Sequence, residues 1–402
     1  MQRSHIRFLF LNVGHFVDHF FVLIFATAAA LQLTAEWDMS YAELIPYATP
    51  GFVAFGLFAI PAGWLADKWS REGMMVIFFV GIGASSVFSS LANSPFEIGL
   101  GLTLVGTFAA IYHPVGLAMV VQGRDKMGMP LAINGIFGNM GIASAALLTG
   151  LLIDTAGWRS AFLIPGIASM ILGMLYLVFE YSGRKIETVQ SPIAGENTQV
   201  ATMPKNMLIR IFAVIFFTAA VGGIIFQSTT FSLPKVLDER LANPTGTATL
   251  IGLYTFLVFS IAAFAQLVVG YLVDNHSVRT VFAWVAILQS IFFAIMIQLT
   301  GMAALIVAIA FMLVVFGEIP INDVLVGRMA RNEWRSRAYA ITYIIGFTVS
   351  ALTVPLLAWI HGSWGFGVLF ALLSGLALLI FIAVLFLPRS QQSIGYSSAS
   401  LS

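Results

Sequence analysis

The segment Gly63-Trp64-Leu65-Ala66-Asp67-Lys68-Trp69-Ser70-Arg71 is a short charged turn between two long apolar runs. A similar segment, Gly270-Tyr271-Leu272-Val273-Asp274-Asn275-His276-Ser277-Val278-Arg279, lies half a chain later. In each copy, Gly allows two helices to approach closely, and Asp can cap the following helix or accept hydrogen bonds from it. Basic residues hold such a turn at a membrane face. The repetition predicts a membrane protein built from two related halves.

The composition supports this interpretation. Hydrophobic residues make up 59% of the 402 residues and charged residues 9%, whereas a soluble domain has roughly 25% charged residues. A formal net charge of +1 argues against a nucleic-acid partner, which would require many clustered cations. The chain has no cysteine, which excludes disulfides, thiolate metal sites and cysteine nucleophiles.

Twelve apolar runs follow one another along the chain, each close to the ~20 residues that a membrane-spanning helix needs. The polar stretch 181–206 separates the first six runs from the last six. It predicts a linker between a six-helix bundle at 1–180 and a second bundle with a short tail at 207–402. The runs lie at about 7–33, 44–66, 73–92, 96–121, 131–153, 160–180, 207–233, 247–273, 280–299, 301–326, 338–360 and 364–387.

The basic residues predict the orientation in the membrane. With both termini in the cytoplasm, all 19 Lys and Arg residues except Arg159, Lys235 and Arg240 fall on the cytoplasmic side. This asymmetry is what the positive-inside rule requires. We therefore expect a multi-pass protein of the inner membrane with both termini cytoplasmic.

The first charged turn fits the pattern Gly-x-x-x-Asp-(Arg/Lys)-x-x-Arg, and so resembles the loop signature of the major facilitator superfamily. The resemblance implies an all-α membrane fold of twelve transmembrane helices in two six-helix halves, with a solute site near the membrane midplane. It also implies a monomer without a cofactor, whose two turns close the cytoplasmic ends when the cavity faces outward. The gating residues would be Gly63, Asp67, Lys68, Arg71, Gly270, Asp274 and Arg279.

Ionisable side chains inside apolar runs indicate function, because a charge there costs several kcal/mol unless a cavity or partner relieves it. They occur in runs one, four and ten, and run seven contributes an uncharged amide. By the family resemblance, these four helices line the central cavity. The predicted proton-coupling and solute-binding residues are His15, Asp18, His19, Tyr112, His113, Gln227 and Glu318.

His15, Asp18 and His19 occupy positions i, i+3 and i+4, so they share one helical face. Asp18 is interpreted as a proton acceptor, with the histidines tuning it or taking part in transfer. A buried hydrogen-bonded cluster that fixes helix one is an alternative. A zinc or iron site is another, but the sequence shows no cysteine and no second such cluster, so no metal site is predicted.

Two prolines accompany the other ionisable groups. His113 precedes Pro114, which breaks the helix ladder in mid-span and frees a carbonyl for a cavity. Proton coupling, solute binding and a structural role at the kink are all open for His113. Glu318 lies beside the corresponding Pro320, and we interpret it as a functional residue.

Gly14-His15-x-x-Asp18 and Tyr112-His113-Pro114 look like the fosmidomycin-resistance branch of drug exporters. The resemblance implies proton-coupled efflux of a small anionic or amphipathic solute by alternating access. We therefore predict a secondary transporter, not an enzyme, whose partners are a small solute, protons and the lipid bilayer. Three alternatives remain: an uptake carrier for organic anions or metal chelates, a membrane-embedded metalloenzyme using His15, Asp18 and His19, and a receptor that signals without moving its solute.

Overall fold

The computed structural model describes residues 3–122, 128–183, 205–241, 246–329 and 332–388. Within these ranges, eleven helices are long and apolar enough to cross a membrane. The last of them combines two predicted spans, since the helix Asn332–Val384 changes direction at Gly365. Gly365 has φ 74° and ψ −177°, which a residue with a side chain rarely adopts. Division at this glycine gives twelve membrane helices, and the predicted fold class is confirmed.

The first half contains membrane helices α1 to α6. A one-turn helix, Tyr41–Leu44, and a 3-10 turn, Ile45–Ala48, precede α2. The six helices are α1, Arg3–Ala28 with a π-helical extension Ala29–Leu33; α2, Thr49–Lys68; α3, Arg71–Ser90; α4, Pro95–Ala109 followed by Tyr112–Gly116 and Leu117–Val121; α5, Gly128–Ala156; and α6, Trp158–Gly183.

The second half contains α7 to α12. Most of the predicted linker 181–206 lies outside the described residues, so the domain boundaries stay a prediction. The six helices are α7, Lys205–Arg240; α8, Ala248–Ala263 followed by Ala265–Asn275; α9, Val278–Met296; α10, Gly301–Met329; α11, 332–364; and α12, 366–384.

Local chemistry explains where α3 and α4 begin and why α4 is interrupted. The Ser70 hydroxyl accepts a hydrogen bond from the Gly73 backbone N–H at 3.0 Å and caps α3. The Ser94 hydroxyl does the same for α4, where Pro95 occupies the first helical position. Pro114 lacks the N–H that an α-helix requires, and Tyr112–Gly116 forms a wider π-helical turn around it. This turn brings Tyr112 and His113 toward α1.

The two charged turns differ in their packing. A Cβ atom at Gly63 would lie 3.2 Å from the Pro114 Cβ, so the expected close approach is present and involves α2 and α4. At Gly270 a Cβ atom would meet no atom of the described residues within 4 Å, so the described part of the chain shows no such approach at the second copy. Arg71 binds Asp67 within its own turn, at 2.8 Å. The gating role of these turns stays a prediction.

The two halves contact each other at the end of the bundle where α1 finishes. Asp154 of α5 accepts hydrogen bonds from the backbone N–H groups of Ala248 and Thr249, at 3.2 and 2.7 Å, and so adds a cap to α8 from the other half. The rings of Tyr41 and His361 lie 5.3 Å apart at the same end. These contacts hold that end of the molecule together.

Gly252 permits the close packing of α8 on α5. A Cβ atom at this position would lie 2.5 Å from the carbonyl oxygen of Ala146. A backbone oxygen cannot move aside as the tip of a flexible side chain can. Small residues at helix contacts allow this kind of approach in membranes.

Candidate functional site

A cavity of about 300 Å³ lies between the two halves. Both halves contribute to its wall, and the described lining residues include no Lys or Arg. The wall therefore combines apolar and aromatic surface with histidine, amide and carboxyl groups. The aromatic lining residues are Phe52, Phe55 and Phe226, and the main polar ones are His19, His113, Gln227, Thr230, Glu318 and Asn322.

Three histidines meet beside this cavity. The Nδ1 atom of His15 lies 2.8 Å from the backbone carbonyl oxygen of Asn134, so it carries the proton and donates. The Nε2 atom of His15 then has the lone pair, and it lies 3.1 Å from Nε2 of His19. His113 comes from the π-helical turn of α4, and its ligand nitrogen is within 4.8 Å of those of the other two.

Asp18 is the acidic member of this group. Its side chain is fully buried, and Oδ2 lies 3.3 Å from Nε2 of His113. Asp18 does not belong to the cavity lining, whereas His19 and His113 do. The structure thus pairs His15 with His19 on α1, and it places Asp18 of the same helix against His113 from α4.

Tyr112 packs against the histidine cluster but does not line the cavity. Its hydroxyl donates to the backbone carbonyl of Leu11 at 2.8 Å and accepts from Nδ2 of Asn134 at 2.9 Å. Its ring stacks on His15 with centroids 4.9 Å apart. Tyr112 is fully buried and outside the cavity lining, so it packs against His15 and does not face the cavity.

We expect Tyr112→Phe to lower the stability of the protein without removing the cluster. The substitution keeps the ring and deletes the hydroxyl, which costs about 0.5–1.5 kcal/mol for a buried hydrogen bond. The measurement is the thermal unfolding midpoint in detergent. Tyr181→Phe is the control, because Tyr181 is exposed near the end of α6. An unchanged midpoint in Tyr112→Phe would contradict the supporting role.

Glu318 is the carboxyl group of the second half. It is 5% exposed, lines the cavity, and accepts a hydrogen bond through Oε2 from Nε2 of Gln289 at 2.8 Å. Gly222 of α7 gives this carboxyl its space, since a Cβ atom there would overlap Oε1. Glu318 is therefore held by a neutral partner on one side and faces the cavity on the other.

Gln227 is the fourth polar group predicted from the cavity helices. It lines the cavity and is 6% exposed, and its Nε2 atom has no hydrogen-bond partner among the described residues. An unpaired buried amide donor is costly, so a solute acceptor would satisfy it. The solute-binding role of Gln227 stays a prediction.

Sequence reasoning missed several residues of the site. Gln289 had a usable signal, because it is a lone amide in the apolar helix α9. Gly222 is one of 36 glycines, and nothing in the sequence pairs it with Glu318. Phe52 and Phe55 are two of 35 phenylalanines, most of which serve packing, so their place in the cavity wall has no sequence signal.

Known transporters are similar in sequence to this chain. The gallate transporter of Pseudomonas putida is 23% identical over 283 residues, which cover 63% of this chain and 62% of that protein. The Na(+), Li(+), K(+)/H(+) antiporter of Planococcus maritimus is 23% identical over 356 residues, covering 80% and 83%. The matched region spans about three fifths to two thirds of the first curated relatives, at 62%, 67% and 65% of their lengths.

Solved structures and a family model agree on the fold. The inward open xylose transporter XylE from E. coli has a TM-score of 0.73 at 14% identity, covering 97% of this chain and 98% of that chain. A sequence model of the Major Facilitator Superfamily matches residues 11–243 and 236–400. The finer resemblance to fosmidomycin-resistance exporters stays a prediction. The chain belongs to the major facilitator superfamily and is a multi-pass membrane protein of that family of transporters.

Proposed function

We propose that this transporter is a proton-coupled antiporter, which exports a small amphipathic solute across the inner membrane. The observation that carries the proposal is Glu318, a buried carboxyl in the wall of the cavity between the halves. Such a group inside a membrane protein takes part in proton or solute binding by default. Asp18 is a poorer candidate for the coupling proton, because it lies outside the cavity lining.

The lining of the cavity favours an amphipathic solute. Phe52, Phe55 and Phe226 offer aromatic surface, while Gln227 offers a hydrogen-bond donor. A volume of about 300 Å³ is the lower limit for small-molecule sites, so the solute is small. The described lining has no permanent cation, and ionised Glu318 would repel an anion. A neutral or cationic amphipathic compound therefore fits better than an anionic one.

Competition at Glu318 would couple the two fluxes. The ionised carboxylate attracts a cationic solute or a hydrogen-bond donor, and protonation removes that attraction. Since each ligand weakens the binding of the other, a proton and the solute exchange on the same carrier. Proton entry would then drive solute export.

Alternating access would carry the site from one side of the membrane to the other. The contacts of Asp154 with α8, and of Tyr41 with His361, support a state in which the molecule is closed at the end where α1 finishes. With both termini in the cytoplasm, as the basic residues favour, the cavity is then reached from the cytoplasm. Rocking of the two halves would reverse this, with Asp67 and Asp274 near the closing end. We take the unit to be a monomer.

Uptake of an aromatic acid together with a proton is the second candidate. Two similar proteins from Pseudomonas putida are named as a gallate transporter and a 4-hydroxybenzoate transporter. A protonated Glu318 would accept such an anion beside the aromatic lining residues, and this gives symport in place of antiport. The charge of the bound solute decides between the two candidates.

The test uses ethidium as a cationic amphipathic compound, with 4-hydroxybenzoate and gallate as aromatic anions. A ligand of the folded state raises the unfolding temperature by mass action. Antiport predicts that ethidium stabilises more at pH 8 than at pH 6, and that in liposomes an imposed pH gradient drives it against the proton flux. Symport predicts stabilisation by the acids, larger at pH 6. Flux that ignores the pH gradient would contradict proton coupling.

A further inference from the structure

We propose that His15, His19 and His113 form a binding site for a divalent transition metal ion. The inference goes beyond proton-coupled transport and does not depend on Glu318. The sequence alone predicts no metal site, because it shows no cysteine and no second group of such ligands. The structure supplies that group, since the π-helical turn of α4 places His113 beside the two histidines of α1.

The tautomer of His15 is the first argument. Its Nδ1–H donates to the Asn134 carbonyl at 2.8 Å, which leaves Nε2 as the lone-pair nitrogen. Metal-binding histidines almost always donate their other ring N–H to a backbone carbonyl or carboxylate. His15 therefore has the hydrogen bond and the orientation that a ligand histidine needs before any ion arrives.

The spacing of the nitrogens is the second argument. The Nε2 atoms of His15 and His19 lie 3.1 Å apart, because Nε2–H of His19 donates to the lone pair of His15. When an ion binds, His19 gives up this proton and its Nε2 becomes a ligand. Two nitrogens bound to one tetrahedral zinc at 2.0–2.1 Å would lie about 3.3 Å apart. The third ligand nitrogen, from His113, is within 4.8 Å of both. An ion can thus bind all three after a movement of about 1.5 Å by the third ring.

Asp18 supplies the third argument. It is fully buried, and its Oδ1 atom has no hydrogen-bond partner among the described residues. A buried carboxylate is costly unless a positive charge compensates it. A divalent ion on the histidines would provide that charge, while Oδ2 beside His113 Nε2 would orient the ring as carboxylates do at zinc sites.

The ligand set defines the class of ion. Imidazole suits zinc, nickel, cobalt and copper, whereas magnesium and calcium prefer oxygen ligands. Because His19 and His113 line the cavity, the ion can enter from there. Three histidines would leave one tetrahedral position open, as in metal sites that exchange a water or a small ligand.

The experiment uses the full chain in detergent, freed of metal by a chelator and titrated with Zn²⁺ alone by calorimetry. We expect one ion per chain, and an affinity at least roughly 10-fold lower in His15→Ala, His19→Ala and His113→Ala. His276→Ala is the control, because its exposed side chain lies outside the cluster. Co²⁺ in place of Zn²⁺ should give the visible absorption of a tetrahedral histidine site in the wild type.

A second pair of variants keeps all three histidines. It tests the site independently, in case a histidine-to-alanine variant fails to fold. A Cβ atom at Gly138 would lie 2.7 Å from His15 Nε2, so Gly138→Ala should displace that ring and weaken Zn²⁺ binding. Gly135→Ala on the same helix is its match, since among the described residues a Cβ atom there would meet only Gln266 Oε1 at 3.6 Å. We expect Glu318→Gln to bind Zn²⁺ with wild-type affinity. This result would show that the metal site is distinct from the proposed proton site.

Two outcomes would overturn the metal site. Equal Zn²⁺ affinity in the wild type and the three histidine variants would show an adventitious ion elsewhere on the chain. Equal affinity for Mg²⁺ and Zn²⁺ would show that imidazole nitrogens are not the ligands. Loss of proton-driven flux with intact Zn²⁺ binding would instead affect the proposed function and leave the metal site standing.

Discussion

Glu318→Gln is expected to lower proton-driven transport strongly and to weaken the binding of a cationic solute. Glutamine keeps the size of the side chain and can still pair with Gln289, but it cannot exchange a proton. Two charges 4 Å apart interact by about 4 kcal/mol at an effective dielectric constant near 20, which corresponds to more than roughly 100-fold in affinity. Removal of that interaction should therefore lower flux driven by a pH gradient by roughly 100-fold, measured in liposomes.

Glu97→Gln is the matched control for this prediction. Glu97 is an exposed carboxyl in the first turn of α4 and does not line the cavity, so its substitution should leave flux unchanged. Solute binding by Glu318→Gln should also lose its dependence on pH between 6 and 8. Flux and pH dependence equal to the wild type would place the coupling proton elsewhere, and the Asp18 and His113 pair would be the next candidate.

Gly252→Ala is expected to hold the molecule open at the end where α1 finishes. The new Cβ atom would lie 2.5 Å from the Ala146 carbonyl oxygen and 3.1 Å from the Leu147 Cα atom, so α8 must move away from α5. A transporter that cannot shut one end loses the exchange between its two states. We expect a roughly 10-fold lower transport rate, since about 1.4 kcal/mol of differential destabilisation suffices for that factor.

The absence of cysteine from the chain makes this prediction measurable without background. A single cysteine at Ser350, which lines the cavity, can be labelled by a maleimide that does not cross membranes. Labelling from the side on which α1 ends should rise in Gly252→Ala. Gly375→Ala is the control, because a Cβ atom at Gly375 would meet no atom within 4 Å in the part of the chain that the structure describes. Equal labelling in both variants would refute the closure at this contact.

Much of the fold was predictable because membrane helices leave strong local signals. An apolar run of about 20 residues identifies a span wherever it occurs, and the turn at Asp67 identifies the family. The break between α11 and α12 was expected between residues 360 and 364, and it falls at Gly365. The packing of the turns was less predictable, since Gly63 and Gly270 have the same sequence context but different neighbours.

The candidate site was predictable where it depends on one helix. The spacing of His15, Asp18 and His19 predicts one face. In the structure His15 and His19 contact each other, whereas Asp18 contacts His113. The distance from Asp18 to His113 depends on how α4 bends around Pro114, and no local pattern encodes it. For the same reason the sequence could not show that Tyr112 lies behind His15, while its neighbour His113 reaches the cavity wall.

The cap that Asp154 provides to α8 has a consequence for the balance between the closed and the opened state. Loss of a helix cap costs about 0.5–2 kcal/mol, so breaking this contact alone would lower the population of the opened state by roughly 2- to 30-fold. The amide groups released at the start of α8 form the positive end of a helix dipole, which attracts anions. Anions in the medium on that side should then stabilise the opened state and raise its population, whatever solute is carried.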